Sequence, residues 1–232
     1  MGQGWGGGAV GAAALWAPRL TPLPLRCHMR KMISIRRICV FCGSNPGHDA
    51  RFLATAGRLG EVLAENRIGL VYGGGSTGLM GAIARSVRAH GGEIIGVMPK
   101  FLEAPERVFR KADEIVITAD MHERKRVMFE RADAFVALPG GIGTLEELVE
   151  QLTWVQLRVH RKPVLIANIA GFWDPLIAMF DHLRDSGFLP NEWGIDYLVA
   201  QDVEDILPTL HAAAARVGEA EKQGVAERVE RM

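Results

Sequence analysis

The chain has 232 residues, 48% of them hydrophobic, with 27 Lys and Arg balanced by 27 Asp and Glu. That length and apolar content support a substantial core in one domain, or one domain with a small appendage. Formal neutrality, with only "RKAD" and "HERKR" locally basic, argues against nucleic acid as a partner, and no apolar run approaches the roughly 20 residues that cross a membrane.

Residues 1–31 are a different material from the rest: rich in Gly, Ala and Pro, free of acid and serine, and without a sustained period. A secretory signal would place its charge ahead of the apolar part, whereas here the arginines follow it. An organelle-targeting peptide fits the basic, acid-free composition but not the lack of serine. The expectation is a disordered extension that adds nothing to the fold, or a start assigned too early, with Met29 or Met32 as first residue.

From Ile33 the punctuation becomes regular. "IRRICVFCGS" reads as a strand and "DARFLATAGRLGEVLAEN" as a helix with Phe52, Leu53, Ala56, Leu59 and Leu63 on one side. "IGLVYGG" (strand), "TGLMGAIARSVRAH" (helix) and "EIIGVMP" (strand) follow. "EIVITAD" is a further strand before the helix "MHERKRVMFERA", with Met121, Met128, Phe129 and Ala132 on its buried side. "AFVALPGG" then leads into the helix "TLEELVEQLTWVQLRV". "KPVLIANI", "DPLIAMFDHLRDSG", "YLVAQ" and "DVEDILPTLHAAAARV" complete the series, and the charged tail over 218–232 is expected to fray. Strands alternating with helices of this length predict βαβ units on a parallel sheet, and continuous apolar strands predict helices on both faces. The expected fold is α/β: one Rossmann-like, doubly wound domain over 32–217.

Cys39 and Cys42 form a CxxC inside the first strand, where residues three apart face opposite sides. With no second CxxC, they read as buried small hydrophobes rather than as a redox or zinc pair.

Ligands on such sheets sit beyond the carboxyl ends of the strands. Three loops there stand out: "CGSN", "YGGGSTGLMG" and "LPGGIGT". Glycine lets a ligand approach the backbone, and the first turn of a helix has unpaired N–H groups and partial positive charge. Gly141, Gly143 and Thr144 are thus placed to offer amides and one hydroxyl to a phosphate. Ser44, Gly74 and Gly75 are further candidates for that phosphate. Neither glycine cluster fits the dinucleotide fingerprint, and "YGGGSTGLMG" lacks the lysine of a P-loop. In the helix read from Thr144, Leu145, Leu148, Val149 and Leu152 form the expected buried stripe, with Glu147, Glu150, Gln151 and Trp154 off it. Glu147 then falls in the first turn, where the helix dipole favours its charged form; a first-turn glutamate is also plain good helix chemistry. Arg124, expected as an exposed arginine at a helix start, would face the anion from the neighbouring loop. His122 and Glu123 begin an HExxH pattern, but Arg126 stands where its second histidine would be.

"PGGIGTLEE" matches the PGGxGTxxE signature of the Lonely Guy family of cytokinin-activating phosphoribohydrolases, often filed under an old lysine decarboxylase label. "YGGGSTGLMG", "IGVMPK", "MHERK" and "LTWVQL" occur in that family's order, and the chain resembles it from about Ile35 to about Leu210. The resemblance implies a Rossmann-like cytoplasmic enzyme, a homodimer or multiple of dimers. It implies hydrolysis of the N-glycosidic bond of adenosine 5′-monophosphate or its N6-substituted forms, without metal or redox cofactor. It places the catalytic pair on Arg124 and Glu147. Contacts to the nucleoside 5′-monophosphate fall on Glu106, Arg124, Lys125, the run Gly141, Ile142, Gly143, Thr144, Leu145, Glu146 and Glu147, and Thr153. Two alternatives share the fold: a molybdenum-cofactor carrier, which would not need both Arg124 and Glu147, and a nucleotide sensor that leaves its ligand intact. No lysine sits in a recognisable pyridoxal-phosphate setting, which disfavours a decarboxylase.

Overall fold

The structure, a computed structural model, describes Met1 and residues 35–103, 108–189 and 196–217. Apart from Met1, the extension over 1–31 lies outside the described residues, as do the tail over 218–232 and Glu106. Strands and helices follow the order the punctuation predicts. They are β1 (Arg37–Phe41), α1 (Ala50–Glu65), β2 (Gly69–Tyr72), α2 (Gly78–Ala89), β3 (Ile94–Pro99) and β4 (Glu114–Thr118). Then come α3 (Met121–Arg131), β5 (Ala134–Ala137), α4 (Ile142–Gln156), β6 (Val164–Ala167), α5 (Asp174–Asp185) and β7 (Leu198–Ala200). A last helix, α6, is described over 206–217.

Among the described residues the strands form one seven-stranded sheet in the order β4-β3-β2-β1-β5-β6-β7. Every pairing is parallel. The inner strands are buried almost throughout, while the edge strands β4 and β7 are only partly covered. Side-chain alternation divides the core in two. Ile38, Val40 and Cys42 point into a cluster closed by Leu59 and Leu63 of α1, Ile83 of α2 and Leu210 of α6. Cys39 and Phe41 point to the other face, against Met128 of α3, Leu148 of α4 and Phe180 of α5. The sheet is doubly wound, as expected. The two cysteines are free and buried on opposite faces.

Two helix faces differ from the sequence reading. In α1, Ala56, Leu59 and Leu63 are buried as expected, but Leu53 is 41% exposed and Gly60 and Val62 are buried with them. In α4, Val149 is 40% exposed, whereas Glu147 and Gln151 face inward. The helix also begins at Ile142 rather than Thr144. In both helices an apolar stripe of the right period is rolled by packing against neighbours distant in sequence.

One buried polar side chain had no sequence signal. His160, in the α4–β6 connection, packs against the rings of Phe129 and Phe135, and its Nδ1 accepts from Lys162 N at 3.1 Å. Burial, assisted by the Lys162 ammonium, pushes this imidazole down to about 4. The unfolded chain, with an ordinary histidine value of about 6.5, therefore takes up a proton that the folded chain refuses. His160 thus costs no stability above pH 6.5 and destabilises progressively as pH falls from there towards 4. Thermal melts should decline between pH 6.5 and 5, before most carboxylates titrate. His160→Leu should flatten that decline; an unchanged slope would remove His160 as its cause.

Candidate active site

Strand order reverses around β1, which has β2 on one side and β5 on the other, and this is where such folds bind ligands. The loops after β1 and β5 are tied together there, Gly43 N donating to Pro139 O at 3.0 Å. Gly140 is required by that closeness, since a Cβ would overlap Thr144 and lie 2.9 Å from Gly43 N. At Gly141 and Gly143 the situation is the reverse, for nothing lies within 4 Å of an added Cβ. Gly141 is the N-cap of α4 and supplies no side-chain cap, so the unpaired amides of the first turn are left without that partner. Ser44, exposed, shares a cavity of about 250 Å³ with Gly140 and Gly141, bordered by Phe52, Leu79 and Phe172.

The second glycine loop is used differently. The amides of Leu79 and Met80, in the first turn of α2, donate to Gly43 O at 3.0 and 3.3 Å. Thr77 Oγ1 donates to Ser44 O at 3.0 Å. Gly74 and Gly75 are buried, Gly74 O accepting from Phe109 N at 3.0 Å and Gly75 bridging to Val108. This loop braces its neighbours, and the first amides of the helix that it opens are taken by Gly43 O.

Arg124 and Glu147 meet. Arg124 Nη1 lies 2.8 Å from Glu147 Oε1, with side chains 11% and 9% exposed. The start of α3 sets the arginine: Asp120 Oδ1 accepts from Glu123 N at 2.8 Å, and Glu123 Oε2 accepts from Ala119 N at 2.7 Å, an N-terminal lock of the capping-box kind. The guanidinium then crosses to the end of β3, where Nε donates to Val97 O at 3.1 Å. A Cβ at Gly73, just beyond β2, would overlap its Nη2, so the bare backbone there makes room for the arginine. Arg124 is therefore not the exposed residue expected from its position.

Glu147 also departs from expectation. Because α4 starts two residues early, this carboxylate lies beyond the first turn, and it is buried, at 7% exposure. Burial raises its pKa above the ordinary carboxylate value, with Arg124 acting in the opposite sense. Beyond the first turn the expected help from the helix dipole is lost, and the exclusion of water decides the direction.

The remaining candidates fall at different distances from this pair. Lys125 Nζ bonds to Glu146 Oε1 at 2.5 Å and Glu150 Oε1 at 2.9 Å. Ile142 is 81% exposed beside the open glycines, and Thr144 is buried beneath them. Leu145 is half-buried against the core of that face. Thr153 lies on the exposed side of α4, its Oγ1 donating to Val149 O at 2.8 Å, and is not brought to the pair. Glu150, Val97 and the Asp120–Glu123 lock are parts of the site that sequence reasoning did not assign.

Comparison with known proteins gives the family. A family profile described as "Possible lysine decarboxylase" matches residues 80–210. A probable cytokinin riboside 5′-monophosphate phosphoribohydrolase of Oryza sativa subsp. japonica is 48% identical over 154 residues, 66% of this chain and 63% of that protein. A second from the same organism is 52% identical over 153 residues, covering 66% of this chain and 69% of the relative. A cytokinin riboside 5′-monophosphate phosphoribohydrolase of Arabidopsis thaliana is 49% identical over 154 residues, covering 66% and 71%. Among solved structures, the molybdenum-cofactor carrier protein of Chlamydomonas reinhardtii superposes with a TM-score of 0.60 at 23% identity, covering 79% of this chain and 99% of the carrier. That likeness shows the fold alone. At about half identity over some 154 residues, and with the family profile matching residues 80–210, the chain belongs to the Lonely Guy family, the cytokinin riboside 5′-monophosphate phosphoribohydrolases.

Proposed function

We propose that the protein hydrolyses the N-glycosidic bond of adenosine 5′-monophosphate, or of its N6-substituted forms, to the free base and ribose 5-phosphate. The observation that carries this reading is the buried Arg124–Glu147 pair, Glu147 standing one helical turn, about 5.4 Å, from Gly143, in the uncapped first turn of α4. A 5′-phosphate held at the amides of that turn would bring its ribose to Glu147. As the C1′–N bond breaks, its electron pair leaves with the purine, which takes up a proton, and positive charge develops on the sugar. Glu147 stabilises that charge and orients the water that adds to C1′, accepting its proton. Arg124 holds Glu147 in place and can bond bidentately to the substrate. A carrier of the same fold leaves this buried pair without a task.

The same reading includes a cytoplasmic homodimer that binds no nucleic acid. Self-association is supported by Val149, Leu157 and Val159, all apolar and 40% to 62% exposed on or just after α4. Among the described residues no helix is long and apolar enough to cross a membrane.

The remote phosphate makes the test. Binding energy from it can be used to orient the ribose, so a substrate lacking it loses rate as well as affinity. kcat/KM measured for adenosine, AMP, ADP and ATP in one buffer should be highest for AMP, with adenosine lower by about a hundredfold or more. ADP and ATP should also be poor, because the loop lacks the lysine that cradles longer chains. Equal rates for adenosine and AMP would sink the phosphate assignment.

A further inference from the structure

Arg124 and Glu147 do not meet alone. The next residue of α3, Lys125, lies across two carboxylates of α4, 2.5 Å from Glu146 Oε1 and 2.9 Å from Glu150 Oε1. The Lys125 side chain is 10% exposed and that of Glu150 22%. Glu146 and Glu150 stand four residues apart on one helix, and Glu147 and Glu150 three apart, spacings at which like charges repel. Helix stability therefore does not explain three glutamates within five residues. A cation supplied from α3 does. Glu150 is committed to that cation through Oε1, while its Oε2 is buried without a hydrogen-bond partner among the described residues.

We propose that Glu150 is a positioning residue of this site: with Glu146 it holds the Lys125 ammonium between α3 and α4, and this clasp sets how α3 presents Arg124 to Glu147 and balances the charge around that carboxylate. The role of the clasp in turnover rests on the hydrolase reading above; its existence does not. The family resemblance counts Lys125 among the substrate contacts, but here its ammonium is already taken by two carboxylates, so it acts through them. Burial works against the Lys125 charge, yet its bonds to Glu146 and Glu150 more than offset this and raise its pKa. The groups bearing on Glu147 are Arg124 and Lys125 from α3, Glu146 from its own helix, and the thiols of Cys39 in β1 and Cys42 just beyond it; Glu150 reaches Glu147 through the Lys125 ammonium that it shares. Both thiols are kept un-ionised by burial.

Two substitutions pull this arrangement in opposite directions. Lys125→Met removes a cation and should make Glu147 harder to ionise. Glu150→Gln removes an anion at nearly constant shape and should make Glu147 easier to ionise. In nucleotide-free protein labelled with ¹³C-glutamate, the Glu147 side-chain carboxyl resonance can be assigned by its loss in Glu147→Gln and followed against pH. Its midpoint should rise in Lys125→Met and fall in Glu150→Gln, each by about one pH unit, the scale of a unit charge several ångströms away. A midpoint that moves the same way in both variants, or in neither, overturns the clasp. In turnover of AMP, Glu150→Gln should lower kcat about tenfold while KM stays within about twofold, the mark of lost alignment rather than lost binding. An unchanged kcat overturns the positioning role. If the parent protein leaves AMP intact, the hydrolase reading falls, while the carboxylate titration still decides the clasp.

Discussion

Arg124→Ala is expected to abolish measurable nucleotide hydrolysis and also to lower the melting temperature. Sequence position alone marks Arg124 as a surface residue whose loss should spare the fold; the buried pair with Glu147 changes that expectation. Charge-assisted hydrogen bonds are each worth about 1.5–3 kcal/mol, so losing two in the transition state lowers kcat/KM by about 10² to 10⁴. Removing one member of a buried ion pair costs up to about 3–5 kcal/mol, reduced here because Glu147 can take up a proton instead. A fall in melting temperature of several degrees should therefore accompany the loss of activity. Arg124→Lys separates the two effects. It restores a positive charge near Glu147 and so much of the stability, but not the planar fork that joins Val97 O to the carboxylate. Activity of Arg124→Ala within twofold of the parent would show that the arginine has no part in the chemistry.

Glu147→Gln should produce a comparable loss of turnover with the opposite effect on stability. Glutamine keeps the shape and can still accept from Arg124, but it carries no charge to stabilise a developing sugar cation or to accept a proton from water. A fall in kcat of about 10² to 10⁴ is expected, with AMP binding retained within a few-fold. Burying a neutral amide avoids the desolvation that raises the pKa of Glu147, so the melting temperature should hold or rise slightly. The parent enzyme should lose activity on acidification as Glu147 is protonated, at a pH above the usual glutamate range, because its folded pKa is raised. Normal hydrolysis by Glu147→Gln would move the catalytic carboxylate elsewhere, with Glu150 the first candidate.

The two surprises in α4 have one physical origin. A helical stripe drawn through Leu145, Leu148, Val149 and Leu152 assumes that the most apolar face is the buried one. The folded helix is rolled so that Thr144, Glu147, Leu148, Gln151 and Leu152 face inward and Val149 outward. Periodicity carries no term for a carboxylate whose counter-ion stands 23 positions earlier. The helix start was also displaced, because Ile142 and Gly143 read as loop beside two glycines, whereas Gly141 serves as an N-cap without a side chain. The second glycine loop shows the converse: its composition resembles a phosphate cradle, but Gly43 O has already taken the first amides of α2.

The parallel sheet, the helices on both faces and the family are written in local pattern, since buried strands, helix periods and glycine-rich loops each depend on residues close together in the chain. So does the placement of the chemistry at one edge, because every strand-to-helix loop of a parallel sheet emerges there. Which residues meet at that edge is a different matter. That Arg124 lies against Glu147, that Lys125 is clasped by Glu146 and Glu150 and that Thr153 turns away were decided by how α3 and α4 pack on the sheet, and Gly74 and Gly75 are held by Val108 and Phe109. Ionisation follows the same division: whether a glutamate is charged, and at what pH, depends on water excluded and charges approached, and both come into being only when segments far apart in sequence close around it.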